Sequence, residues 1–371
     1  MRFTFLVVAL AQIATLAASA APSFRVLEDS ALGPTFAVQV SGDGSIVLGF
    51  AREIVPGTFD PRTLAFRWDG DGAPVAIQGD LELVGASKLV ISNDGSTIAA
   101  TGIVDAPGLP TTAQNYQLRD ERYVPLPEAL SATNLIQAIS DDGRVIVTTD
   151  TRFEDGVASP TNLAAQGVSG DGRTLVGTLA SGAPGFSTDG MAPEEITLPS
   201  DAFITGGPST PVLGMSFDGS IVFGAYTTLF GFNLFRWEDG QAEALGGIGS
   251  TGLTAAMSGD GSVLVAGDAL WIDLERHLLS EFLAGLGLDV AGWSRLLATD
   301  ISSDGRTLVG TGLGPSGRRR SWIAVIPEPG TGGLLAAGIV ALSGRAQRRR
   351  RSQLRTNPGP AVPLARGGET D

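Results

Sequence analysis

Between residues 21 and 326, short apolar, β-branched runs alternate with polar turns, and one turn recurs seven times. It reads Val40-Ser41-Gly42-Asp43-Gly44, Ile91-Ser92-Asn93-Asp94-Gly95, Ile139-Ser140-Asp141-Asp142-Gly143 and Val168-Ser169-Gly170-Asp171-Gly172. It returns as Met215-Ser216-Phe217-Asp218-Gly219, Met257-Ser258-Gly259-Asp260-Gly261 and Ile301-Ser302-Ser303-Asp304-Gly305. A polar residue and a second apolar run follow, as in Ser45-Ile46-Val47-Leu48 and Arg306-Thr307-Leu308-Val309. Apolar runs on both sides of Asp-Gly predict a hairpin, because the aspartate bonds its own backbone and the glycine accepts a positive φ.

An aromatic strand follows each hairpin, as in Ala65-Phe66-Arg67-Trp68, Arg152-Phe153-Glu154, Phe235-Arg236-Trp237 and Ser321-Trp322-Ile323. A further turn and strand (73–77, 242–245) complete four strands per unit. The turn aspartates are spaced by 51, 48, 29, 47, 42 and 44 residues, and outside the 29-residue interval that is the period of a propeller blade. The expected fold is an all-β propeller of seven four-stranded blades, with the short interval leaving a six- or eight-fold ring open. The last unit lacks its fourth strand, which Phe24-Arg25-Val26-Leu27 is expected to supply, closing the ring and removing its exposed edges. One stretch, Leu274 to Gly292, breaks the rhythm: Leu274, Leu278, Phe282 and Leu286 recur every four residues, which predicts an amphipathic helix carrying His277.

These residues resemble the HAF family of extracellular repeats, in which an Ala-Phe-x-Trp strand alternates with a Ser-x-Asp-Gly turn. The resemblance covers roughly Phe24 to Ile326. The histidine of the family's name is missing, with Leu64 and Leu234 standing near that place.

The two ends differ from this body. Arg2 precedes an apolar run, Phe3 to Leu16, and Ala18-Ser19-Ala20 offers a small-residue cleavage site, so residues 1–20 read as a signal peptide removed by signal peptidase after Ala20. At the other end Pro327-Glu328-Pro329 precedes an apolar stretch, Gly332 to Gly344, and then Arg345 and Arg348, Arg349, Arg350 and Arg351. The prolines keep the motif extended, the apolar stretch predicts a helix that pauses in a bilayer, and the arginines favour the cytoplasmic side. This arrangement, residues 327–351, resembles the PEP-CTERM sorting signal of Gram-negative, exopolysaccharide-producing bacteria. The resemblance implies transient inner-membrane anchoring, processing by an exosortase, and release to the surface or medium. Residues 352–371, rich in Pro, Gly and Arg, continue past the point where such signals stop and read as a disordered tail.

Composition narrows the chemistry. The 371 residues include no cysteine, which excludes disulfides, thiolate metal sites and cysteine nucleophiles. Lys88 is the only lysine. With seven arginines and three acids in the tail and one arginine in the signal segment, the body carries about −19 of the net −14. Such a body repels nucleic acid.

Few side chains suggest a reaction. The turn aspartates Asp43, Asp94, Asp142, Asp171, Asp218, Asp260 and Asp304 occupy one turn each and are expected to ring the axis as structural groups. The pattern is similar to the sialidase Asp-box but lacks its tryptophan. His277 is the sole histidine, so neither a triad nor a histidine metal cluster can be assembled around it. The Gly-x-Gly-x-x-Gly matches at 247–252 and 312–317 do not open a helix after a strand, as phosphate binding requires. Asp69 and Asp71 offer a weak calcium ligand pair against the alternative of a solvated turn. Arg318-Arg319-Arg320 reads as a surface turn or a dock for acidic polysaccharide. Trp68, Trp237, Trp271 and Trp322 share equivalent strand positions and read as core. The expectation is therefore a non-catalytic binding or scaffold propeller without a cofactor, partnered by extracellular polysaccharide. A polysaccharide hydrolase or lyase with two acids in the central channel, and a self-assembling matrix protein, are the alternatives.

Overall fold

A computed structural model describes residues 21–31, 33–53, 62–70, 72–77, 82–105, 114–119, 122–127, 134–202, 212–229, 231–247 and 254–327. Ala18, Ala20, Asp71 and everything after Pro327, including Glu328, Pro329 and Arg348 to Arg351, lie outside the described residues. No helix among the described residues is long and apolar enough to cross a membrane.

The strands form seven antiparallel blades. After β1 (Ser23–Val26), blade 1 contains β2 (Thr35–Val40), β3 (Ile46–Glu53), β4 (Arg62–Asp69) and β5 (Val75–Ala76). Blade 2 contains β6 (Glu82–Ile91), β7 (Ile98–Asp105), β8 (Gln114–Arg119) and β9 (Arg122–Pro125). Blade 3 contains β10 (Ile136–Ile139), β11 (Val145–Thr148), β12 (Thr151–Glu154) and β13 (Val157–Pro160). Blade 4 contains β14 (Ala164–Val168), β15 (Thr174–Thr178), β16 (Pro184–Thr188) and β17 (Glu194–Glu195). Blade 5 contains β18 (Val212–Met215), β19 (Ile221–Thr228), β20 (Gly231–Glu238) and β21 (Gln241–Gly247). Blade 6 contains β22 (Ala255–Met257), β23 (Val263–Ala266), β24 (Ala269–Ile272) and β25 (Glu275–Leu278). Blade 7 contains β26 (Ser294–Ile301), β27 (Thr307–Leu313) and β28 (Arg319–Val325), and β1 is its fourth strand.

The 29-residue interval is a complete blade with minimal loops: blade 3 turns from β11 to β12 through only Thr149 and Asp150. Closure is by β1, which pairs with β28 from Ser23↔Val325 to Val26↔Trp322. Phe24 stacks on Trp322 at 5.8 Å and meets Trp293 edge-on at 5.3 Å, so an aromatic cluster reinforces the seam where β1 meets β28.

Alternation along each strand sends apolar side chains to both faces of a blade, and each face is buried against a neighbour. The buried residues accordingly fall into clusters that each span adjacent blades. Val90 and Ala99 of blade 2 meet Ile136, Ile146 and Phe153 of blade 3, and Val145 and Val147 of blade 3 meet Ala165 and Leu175 of blade 4. Across the seam, Trp68, Val47 and Ala37 pack with Val309 and Ile323. Trp68, Trp271 and Trp322 are buried, whereas Trp237 is half-buried against Phe186, with ring centroids 5.1 Å apart.

The expected long helix is a correction. Only α1 (Leu279–Gly285) is helical, burying Leu279 and Leu283 between blades 6 and 7. Residues Glu275 to Leu278 instead form β25, and His277 lies on this strand beside Phe282, not on a helix. The chain turns at Asp273-Leu274 as other blades turn at Asp-Gly, and the backbone hydrogen bonds of β25 to β24 outweigh the four-residue period. Leu274 thereby adopts φ +68°, where the matching residues are Gly156, Gly190 and Gly240. A side chain in this left-handed region costs about 1–2 kcal/mol, partly offset by the roughly 0.5–1 kcal/mol of extra chain entropy that glycine loses on folding. Leu274→Gly is therefore expected to stabilise the ring by about 0.5–1 kcal/mol, measured by urea denaturation; a lower midpoint would contradict this.

Candidate functional site

The first strand of every blade (β2, β6, β10, β14, β18, β22 and β26) contacts the first strands of its neighbours, so these strands line the central channel. Each ends in a Ser-x-Asp-Gly turn, and all seven turns fold alike. The serine is buried, its hydroxyl donates to the aspartate Oδ1 at 2.5–2.7 Å, and the same Oγ accepts the amide five residues on at 2.8–3.0 Å. The aspartate Oδ1 also accepts the amide two residues ahead, as from Ser45 to Asp43 at 2.9 Å and from Arg306 to Asp304 at 3.0 Å. Asp94, Asp142, Asp171, Asp218 and Asp260 do the same. The Ser220 amide and the Ser216 and Ser220 hydroxyls hold Asp218 below the ordinary carboxylate range. At Asp43, Asp94 and Asp260 burial pushes the other way and is outweighed by equivalent hydrogen bonds. The carboxylates thus act within their own turns.

The residue before each aspartate, which pattern reasoning treats as a spacer, carries more information. Its backbone joins a closed belt around the channel mouth. Asn93 donates to Asp141 at 3.0 Å, Asp141 to Gly170 at 2.9 Å, Gly170 to Phe217 at 2.8 Å, Phe217 to Gly259 at 2.7 Å and Gly259 to Ser303 at 2.8 Å. The Asp304 amide then donates to Gly42, and the Asp43 amide to Asn93, each at 3.3 Å, which completes the circle.

Side chains on this belt all lean toward the preceding blade. A Cβ on Gly42 would stand 1.1 Å from Asn93 Oδ1, one on Gly170 would stand 2.2 Å from the Phe217 ring, and one on Gly259 would stand 2.3 Å from Ser303 Oγ. Glycine thus leaves room for the larger neighbour, and the mouth presents Asn93, Asp141, Phe217 and Ser303. Burial and repulsion from Asp142 and Asp94 push the Asp141 carboxyl up to about 6, against a hydrogen bond with Asn93, and its Oδ2 is buried without a partner. Phe217 keeps 47% of its surface exposed.

Three polar residues sit deeper, on neighbouring innermost strands: Asp300 on β26, Gln39 on β2 and Lys88 on β6. Ser41 donates its amide to Ile46, so the alternation of an antiparallel pair turns the Val40 amide to the channel edge of β2. That amide donates to Asp300 Oδ2 at 2.8 Å. Burial pushes the Asp300 carboxyl up to about 7, against the Val40 and Ile301 amides and the charge of Lys88. Burial likewise lowers Lys88, opposed by Asp300. Gln39 Oε1 is buried without a hydrogen-bond partner. The positions matching Gln39 and Asp300 in the other blades are Val90, Ala138, Gly167, Gly214 and Ala256. The signal in the sequence was therefore present: polar residues at a position otherwise apolar or small, and the sole lysine.

The remaining candidates lie apart from the channel chemistry. Asp69 is paired with Arg67 at 2.7 Å. Among the described residues no group of three or more His, Cys, Asp or Glu side chains is placed to hold a metal ion. Arg319 lies over the Phe36 ring at 5.6 Å and Arg320 pairs with Asp29, so two of the three consecutive arginines are engaged within the ring. Residues 312–317 run from β27 into the turn before β28, with no helix after them, and Gly247 ends β21.

No family model matches the chain. No curated protein matches it in sequence. Solved structures match it in fold. The β-propeller domain of the Trilobed protease from Pyrococcus furiosus, described as having an open velcro topology, is 10% identical over 78% of this chain and 95% of its own, with a TM-score of 0.50. A puromycin-hydrolyzing peptidase from Mycobacterium tuberculosis is 16% identical over 80% of this chain and 54% of its own, also with a TM-score of 0.50. TolB from Acinetobacter baumannii is 11% identical over 80% of this chain, with a TM-score of 0.37. The chain spans about half the length of the last two proteins, 54% and 55%. At these identities the likeness concerns the propeller fold.

The raised channel carboxyls set a pH dependence. A carboxyl whose folded pKa lies above its ordinary 3.8 keeps its proton in the folded chain after the unfolded chain has lost it, so its contribution is complete below 3.8 and is lost as pH rises through about 7 for Asp300 and about 6 for Asp141. The turn aspartates with lowered values act the opposite way and only below that window. Stability should therefore fall between pH 4 and pH 7.5, and Asp300→Asn should flatten the fall; equal slopes for both proteins in urea titrations would contradict the assignment.

Proposed function

We propose that the chain is an exported, exosortase-sorted propeller that binds extracellular polysaccharide at the turn-side mouth of its channel without transforming it. The supporting observation is the mouth itself: an exposed Phe217 ring on the same belt of turns as Asn93, Asp141 and Ser303. An aromatic face on a rim that also carries amide, carboxyl and hydroxyl groups suits the apolar face and hydroxyls of a sugar. Export and sorting rest on residues 1–20 and on Pro327 to Arg351; Pro327 follows the last residue of β28 by only two positions, so cleavage at the motif would leave the ring whole.

The test is co-sedimentation of the secreted protein with its host's own exopolysaccharide. Wild type should be retained and Phe217→Ala should bind about tenfold more weakly, the loss of one stacking contact of about 1–1.5 kcal/mol. Equal retention of both proteins, or none of either, would refute this reading. A second reading, cleavage of the polymer, draws on the raised carboxyls of Asp141 and Asp300. New chain ends that appear with wild type and vanish with Asp300→Asn would favour it.

A further inference from the structure

We propose that Lys88, Gln39 and Asp300 form a subsite inside the channel for a sugar acid, with the Lys88 ammonium taking the carboxylate and Gln39 and Asp300 taking hydroxyls. The subsite rests on the reading that saccharide reaches this channel, and it adds the chemical class.

The geometry begins with strand register. β2, β10, β14, β18 and β26 each carry a register shift just before their last two or three residues, at Val38, Gln137, Gln166, Leu213 and Thr299. β6 runs without one there, pairing Lys88↔Thr101, Leu89↔Ala100, Val90↔Ala99 and Ile91↔Ile98. Lys88 thus stands where blade 1 places Phe36, which pairs with Phe50. A single lysine replaces an apolar residue on an innermost strand, and Asp300, two blades away across Gln39, supplies the opposing charge.

A buried charge is tolerated when paired and a buried acceptor when bonded. Among the described residues Lys88 forms no ion pair and feels Asp300 only as a charge at longer range, and Gln39 Oε1 has no hydrogen-bond partner, so both call for groups from outside the chain. Asp300 accepts the Val40 and Ile301 amides, and a carboxyl group has further lone pairs with which to meet a hydroxyl. Lys88 offers ammonium donors to an anion. Together these want one carboxylate and at least one hydroxyl on the same small unit, as in a uronate. The acidic body does not forbid this, because at physiological ionic strength charges beyond about 8 Å are largely screened and the local ammonium dominates.

The sole lysine makes the site observable. Reductive methylation of the full chain with isotopically labelled formaldehyde places one ε-dimethyl label, on Lys88. D-glucuronate should shift that signal saturably and D-glucose should not. Gln39→Ala should weaken D-glucuronate binding about tenfold, the loss of a hydrogen bond near 1.4 kcal/mol, and by calorimetry Lys88→Arg should retain binding that Lys88→Met loses. A Lys88 signal unmoved by D-glucuronate, or moved equally by D-glucose, overturns the subsite. Co-sedimentation of the same samples with polysaccharide separates the two ideas: retention with a silent Lys88 sinks the subsite alone, whereas a shifted Lys88 without retention supports the subsite and counts against polymer binding at the mouth.

Discussion

One interaction sets the geometry of the whole ring: a buried serine hydroxyl that donates to an aspartate and accepts a backbone amide at the same time, once in every blade. Removing one such oxygen would strand a buried amide at a cost of about 1–3 kcal/mol, a sizeable part of the roughly 5–15 kcal/mol that holds a domain together. The paired bonds fix each turn so that its second residue faces the next blade's second residue. Seven fixed turns can then share one circular run of hydrogen bonds, and that run requires the correct blade number and a closed seam. The pairing of β1 with β28 supplies the seam, with Phe24 between Trp293 and Trp322.

From this constraint the candidate chemistry follows. With the backbone of the second turn residue held at its carbonyl in every turn, and at its amide too in five of the seven, its side chain is the main free variable at the mouth. Glycine stands at positions 42, 170 and 259 because the next blade's side chain lies across each of them, while the consecutive Asn93 and Asp141 fit by hydrogen-bonding to each other. Deeper in, the innermost strands are packed on both faces, so a polar residue there has nowhere to go but the channel edge. Asp300 shows this directly by bonding the unpaired edge of β2. The symmetry of the turns and the asymmetry of the channel thus have separate origins: the first is structural, and the second is carried by a few departures from the repeat.

The fold was legible in the residues because its signals are local. Asp-Gly between β-branched runs specifies a hairpin within a few residues, and the aromatic strand marks the third strand of each blade. The seam was legible too, since a missing fourth strand and a spare strand stand at opposite ends of the body. The long helix was misread because a four-residue apolar period takes no account of backbone pairing. Aligning Trp271-Ile272-Asp273-Leu274 with Trp237-Glu238-Asp239-Gly240 would have exposed another turn, one in which leucine occupies a glycine conformation. The belt was not legible, because it joins backbone groups of different blades. The channel trio left a signal in the repeat, two polar residues at an otherwise apolar or small position and the sole lysine, but not its assembly. Gln39 and Asp300 share a repeat position, but Lys88 stands two residues earlier in its repeat, and only the unshifted register of β6 relates it to them.

Hydrogen exchange at the belt amides tests the central claim most directly. The amides of Asn93, Asp141, Gly170, Phe217 and Gly259, although they sit in turns, should exchange as slowly as core strand amides and should all speed up together in Ser258→Ala. Fast, independent exchange at these turns, or an effect of Ser258→Ala confined to blade 6, would contradict a single closed belt.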